Sequence, residues 1–276
     1  MCKITSPRAP QIILALGLYV AATLAANAHE YWIEPLEFQV KPGGEIIANQ
    51  KVGQDFKGNN YPFLPQEFTK SGLFNTKGKS PIKGNIGDIP AFKIKPNKTG
   101  LNVLAVATRP DRLTYDTAEK FQTFLKNQGL EWALVEQRKR GLPDAGFTEA
   151  YSRYAKALVQ VGPTAGNDVV VGLPIELIAE KNPYALALKS IAKLPVRLLW
   201  QGKPLKQAQI KIFHRVKDKL NISKIRTDDT GRAMIPMSQS GKYLLSAVHI
   251  IPWTQKPKDQ WHSYWASMTF KLGPTN

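Results

Sequence analysis

Cysteine is almost missing from this chain of 276 residues: the single one is Cys2, so no disulfide can form within the chain. A cut behind the first 28 residues would also leave no thiolate to ligate a metal. Histidine is scarce, with four residues in all, His29, His214, His249 and His262. Acids are outnumbered, 21 against 38 Lys and Arg, for a formal charge of +17. That excess raises the question of nucleic acid. Its lysines, from Lys51 to Lys98, stand singly in turn-rich sequence, with no dense basic run interleaved with aromatics. They describe a solvated surface, so no nucleic acid is expected as a partner, while peripheral contact with an anionic membrane is compatible with the charge. Catalytic signatures are lacking as well: no G-x-S-x-G, H-E-x-x-H, P-loop or G-x-G-x-x-G occurs. Ser80-Pro81-Ile82-Lys83 and Lys98-Thr99-Gly100 carry the letters of penicillin-recognising serine enzymes, but the short stretch between them cannot build the domain those motifs span. No catalytic residue is assigned, and the chain is expected not to be an enzyme.

The one long apolar run lies at the front. Lys3 and Arg8 precede an apolar stretch from Ile12 to Ala25, and Ala26-Asn27-Ala28 supplies small residues for cleavage. The run is shorter than the roughly 20 residues that cross a bilayer as a helix, so residues 1–28 read as a signal peptide removed on export to the periplasm. Cys2 precedes the apolar run, which argues against lipid anchoring.

Past His29 the chain carries short apolar runs between Gly and Pro turns, including Pro42-Gly43-Gly44 and Leu101–Val106, and residues 29–112 are expected to form a first β module. Residues 113–165 change grammar. Asp116 is placed to cap a helix bearing Phe121, Phe124 and Leu125, with Gly129 as its stop. A second helical piece spans Leu130 to Arg140, and a third begins near Thr148, with Tyr151, Tyr154, Ala155, Leu158 and Val159 at three- and four-residue spacing. Strands return over residues 166–276, joined by Gly202-Lys203-Pro204, Asp228-Asp229-Thr230-Gly231 and Ser240-Gly241-Lys242. The expected fold is mainly β: two immunoglobulin-like or prealbumin-like β-sandwich modules with a helical insertion between them.

With thiolates gone, imidazole and carboxylate are the strong ligands left for a divalent transition metal. Cleavage after Ala28 would make His29 the first residue, where its α-amine and Nδ1 close one chelate ring and a further imidazole completes a histidine brace. His249 is the expected partner, at the end of the strand Tyr243–Ile250, and His262 follows it by 13 residues in a segment able to fold back. His214 shares a strand face with Ile210 and Ile212 and reads as packed.

His29 with Trp32-Ile33-Glu34-Pro35, the segment Tyr151–Lys156, Asn182-Pro183-Tyr184, Gly202-Lys203-Pro204-Leu205, Thr227-Asp228 with Gly231, and Tyr264-Trp265-Ala266-Ser267 together resemble the NikM-like family of exported proteins. Within this, Gln201–His249 resembles a carboxypeptidase-regulatory-like or prealbumin-like sandwich. The resemblance implies a β-rich accessory to nickel or cobalt uptake that serves a transporter or receptor. His29 and His249 match family histidines, whereas His262 stands where an acid is expected. The expectation from the sequence is therefore a periplasmic nickel- or cobalt-binding protein, with His29, His249 and His262 as candidate ligands. The Irving–Williams order would favour copper in the same nitrogens. Two alternatives stand beside it: a metal-independent β-sandwich that binds a carbohydrate or protein partner, and a copper-binding histidine-brace protein.

Overall fold

The computed structural model describes residues 29–188, 192–253 and 259–273; the signal read over residues 1–28 lies outside them. The chain opens with β1 (Glu30–Pro35), β2 (Gln39–Val40), β3 (Ile46–Gln54) and β4 (Lys57–Tyr61). Next come β5 (Phe68–Asn75), β6 (Gly78–Ser80), β7 (Phe92–Ile94), β8 (Gly100–Thr108) and β9 (Asp111–Tyr115). Helices α1 (Ala118–Gln128) and α2 (Trp132–Lys139) lead to β10 (Phe147–Val161), β11 (Ile175–Ala179) and a short α3 (Pro183–Leu188). The remainder is β12 (Lys193–Trp200), β13 (Lys203–Pro204), β14 (Gln209–Val216), β15 (Lys219–Arg226), β16 (Arg232–Pro236), β17 (Gly241–Pro252) and β18 (Asp259–Leu272).

These strands make three layers. The middle layer is a ten-stranded sheet in the order β15-β14-β17-β18-β10-β8-β5-β6, with β2 and β9 also paired to β10. Strands from both halves of the sequence thus share one sheet. A four-stranded sheet, β1-β3-β4 with β7 on β3, covers one face; another, β11-β12-β13 with β16 on β12, covers the other. Side-chain alternation sorts the core accordingly. Tyr31, Ile33 and Phe92 pack with Leu104, Val106, Ala155 and Val159 on the first face. Leu177, Val196, Leu198 and Ile235 pack with Val103, Leu158, Leu245 and Phe270 on the second.

The segment from Thr148 onward is a strand, β10, and not the expected third helix. Tyr154 and Leu158 face one core while Ala155, Ala157, Val159 and Val161 face the other. A strand buried on both faces is apolar at nearly every position, so three- and four-residue spacings arise within it without any helix. The first two helical pieces do form. Phe121, Phe124 and Leu125 of α1 pack with Val248, Ile250, Trp261 and Trp265, on the same side of the central sheet as β1. Gly129 ends α1 at φ +70, the left-handed conformation that suits glycine. Asp116 pairs with Lys120 at 2.7 Å, and the residue at the N-cap is Thr117.

Candidate functional site

Strands β17, β18 and β10 and the end of β12 gather one set of rings on the second face of the central sheet. In the antiparallel β17–β18 pair His249 lies opposite Tyr264, and His262, two residues earlier on β18, projects to the same side. His249 is half-buried against Trp200, with ring centroids 4.6 Å apart, and Trp200 meets Tyr264 edge-on at 4.6 Å. Tyr264 stacks on His262 at 4.1 Å and lies parallel to Tyr154 at 6.1 Å. Trp253 closes the outer side of His262 as a perpendicular ring at 4.6 Å.

His262 is buried, and both ring nitrogens are engaged: Nε2 lies 3.0 Å from Ser152 Oγ and Nδ1 3.2 Å from the Tyr264 hydroxyl. Burial pushes its pKa down to about 4, with nearby Asp259 pulling weakly the other way. Near neutral pH the ring is therefore uncharged, donating from one nitrogen and accepting at the other. Burial lowers the pKa of His249 too, and raises that of Tyr154 to about 12. The rings of the site are therefore uncharged near neutral pH, and the charge on the cleft wall is Lys70, whose ammonium donates to the carbonyl oxygens of Val171 and Gly172 at 2.9 and 3.0 Å. The site opens into this cleft of about 310 Å³, whose walls include Thr69, Thr108, Ser152, Tyr154, His262 and Tyr264. That size is at the lower end of small-molecule pockets, and ring faces beside a few hydroxyls are their usual lining.

His29 is elsewhere. It is exposed at the head of β1, beside an open hollow lined by Gln54, Asn59 and Tyr61. Strand β1 packs on the first face, where Trp32 meets Phe56, Phe213 and Leu244. Leu244 points away from Tyr243, Leu245 and Ala247, the residues whose face His249 shares. His29 and the pair His249 and His262 thus lie on opposite sides of the central sheet, and the fold does not assemble them into one site. Among the described residues no group of three or more His, Cys, Asp or Glu is placed to hold a metal ion. His214 stacks on Tyr243 at 4.3 Å, and its Nε2 lies 2.9 Å from the Ser240 carbonyl oxygen, a packed edge position.

Sequence reasoning missed Ser152, Trp200 and Trp253 as site residues. The available signal was strand alternation: Ser152 and Tyr154 on β10, and His262 and Tyr264 on β18, are each two apart, and β10 runs parallel to β18 with Ser152 opposite Tyr264. Reading residues 148–159 as helix hid that pairing.

Residues 26–251 match the profile of a domain of unknown function, DUF4198. The chain belongs to the DUF4198 family. The matched part of this DUF4198 chain includes His29 and His249 and ends before β18, so His262 and Tyr264 lie beyond it. No curated protein matches the chain. Among solved structures it is similar to a mutant of Salmonella alpha-2-macroglobulin at 12% identity and a TM-score of 0.22, over 87% of this chain and 15% of that one. Among the described residues no helix is long and apolar enough to cross a membrane.

Proposed function

We propose that this DUF4198 chain is an exported, periplasmic binding module that takes an uncharged, hydroxyl-rich ligand of the carbohydrate class in the cleft between Tyr154, Tyr264 and His262, without a metal and without catalysis. The carrying observation is the stacked Tyr264–His262 pair at the cleft wall, with an uncharged imidazole hydrogen-bonded on both nitrogens. Tyr154 and Tyr264, with His262 holding Tyr264 in place, offer ring surface to the apolar face of a sugar, and the hydroxyls of Thr69, Thr108 and Ser152 match its polar edge. The test is calorimetric titration with neutral oligosaccharides from the cell envelope, with and without chelator. Binding that survives the chelator and is lost in Tyr264→Ala supports the reading; no binding to any neutral oligosaccharide overturns it.

A nickel or cobalt ion carried at the front of the processed chain is the second reading, favoured by the exposure of His29 beside the open hollow at Gln54 and Asn59. The α-amine and Nδ1 would supply two nitrogens, and a transporter or receptor would complete the coordination as it accepts the ion. Copper would compete for the same nitrogens. Metal titration of the chain beginning at His29 tests this separately from the cleft.

A further inference from the structure

Lys156, in the middle of β10, is only 1% exposed, an unusual place for an ammonium group. Its Nζ lies 2.8 Å from Oδ1 of Asp168 and 3.1 Å from Oε1 of Glu176, and both carboxylates are buried as deeply. Asp168 sits in the connection after β10, and Glu176 on β11. Backbone groups fix each carboxylate: Ala179 N–H donates to Asp168 Oδ2 at 2.9 Å and Val169 N–H to Oδ1 at 2.7 Å. Glu176 accepts from the N–H groups of Val171, Gly172 and Leu173. Nζ also faces the carbonyl oxygens of Val169 and Leu177, each at 3.1 Å. Four acceptors therefore converge on three ammonium hydrogens, and two carboxylates compete for one cation. Withdrawing such ions from water is costly unless each is closely paired and hydrogen-bonded.

We propose that Lys156 and Asp168 are joined by an intramolecular isopeptide bond, which the folded chain forms by itself with Glu176 as the proton carrier. The ammonium first passes one proton to the Asp168 carboxylate, leaving an amine beside a carboxylic acid. Burial, reinforced by the negative Glu176, raises the pKa of Asp168 against the pull of Lys156, and so favours that transfer. The Nζ lone pair then attacks Asp168 Cγ. Negative charge develops on Oδ2, where the Ala179 N–H already points. Glu176 Oε1 accepts the second proton from Nζ and returns it to Oδ1; the Cγ–Oδ1 bond breaks and one water leaves. An ammonium and a carboxylate become an amide and water, with no oxidant, reductant or cofactor. Holding amine and carboxyl in contact is equivalent to an effective concentration on the order of 10⁵–10⁸ M. The dry surroundings oppose hydrolysis. In a chain with no disulfide, the link would tie the central sheet covalently to the connection that leads into the second small sheet.

Trypsin digestion of the purified full chain followed by mass spectrometry tests this. Lys156 is the only tryptic site between Arg153 and Lys181, and its acylation would block cleavage there. The expected product is the uncut peptide 154–181, lighter than its sequence by the mass of one water. Glu176→Gln should restore both cleavage after Lys156 and the full mass, and Lys156→Arg gives the unlinked reference. A succinimide at Asp168 would lose the same mass but leave Lys156 cleavable. Complete cleavage after Lys156 in the unmodified chain overturns the proposal, whether Asp168 is at full mass or has lost water as a succinimide. A link that persists undiminished in Glu176→Gln overturns the role given to Glu176.

Discussion

Tyr264 holds His262 from two directions: the rings stack at 4.1 Å, and the tyrosine hydroxyl lies 3.2 Å from Nδ1 of the same imidazole. The pair is rigid because Ser152 and Trp253 occupy the remaining sides of the imidazole. Replacing Tyr264 by Ala removes a ring face from the cleft and a hydrogen bond from His262 together. Oligosaccharide affinity is expected to fall at least tenfold, or about 1.4 kcal/mol, in calorimetric titration.

The pH profile of that binding follows from His262. Its pKa of about 4 keeps the ring neutral from pH 8 down to about 5, so affinity should be level across that range. It should fall as the pH approaches 4, where the imidazole becomes a second donor toward groups arranged for a neutral ring. Affinity that changes steeply between pH 6 and 7 would contradict this.

Glu149 predicts an opposite trend in stability. Burial raises its pKa to about 7, against hydrogen bonds from Ser263 and Tyr115 that pull it down. An acid whose folded pKa exceeds its unfolded value contributes most below the unfolded value and loses that contribution as pH rises through the folded one. The Glu149 contribution should thus disappear between pH 4.5 and 7, by about 3 kcal/mol. His262 has the reverse sign: its folded pKa is depressed, and its contribution is lost as pH falls from 6.5 to 4. The two overlap and offset each other in the native chain. Glu149→Gln should unmask the histidine, so that urea midpoints decline more steeply on acidification than in the unsubstituted protein.

Phe121 anchors the helical layer. It is 1% exposed and meets Tyr115 at 4.9 Å and Phe147 at 5.0 Å. Phe121→Ala is expected to cost about 3–5 kcal/mol, the range for emptying a packed aromatic site, measured by urea unfolding. Affinity for a cleft ligand should persist under native conditions, because the helices and the cleft lie on opposite faces of the central sheet.

The front of the chain gives a separate expectation. Protein beginning at His29 should bind nickel or cobalt at least tenfold more tightly than a version extended by one alanine, about 1.4 kcal/mol, because extension removes the free amine. His249→Ala should leave that affinity unchanged, since His249 lies across the sheet. Metal titration followed spectroscopically checks both.

What could be read without the structure was local. Asp228-Asp229-Thr230-Gly231 announces a turn, and Asp228 Oδ1 does accept from the Thr230 and Arg232 N–H groups, while Gly231 adopts φ +73. Gly129 announces the end of α1 for the same reason. The expectation failed where pairing is long-range. Whether Tyr154 belongs to a helix or a strand depends on Ala266, its partner in β18, more than a hundred residues away. The separation of His29 from His249 depends on which face of the sheet β1 covers, and no nearby residue encodes that. Lys156, Asp168 and Glu176 stand as ordinary charged letters in the sequence; only the closing of two layers over them removes water.

Because β10 is bordered by β18 on one edge and by β8 and β9 on the other, the two halves of the sequence cannot mature independently. A fragment that stops near residue 165 would display a long naked edge of Tyr, Ala and Val, an invitation to aggregate. The chain must extend through β18 before its central strand finds its last neighbour, so the middle layer closes late.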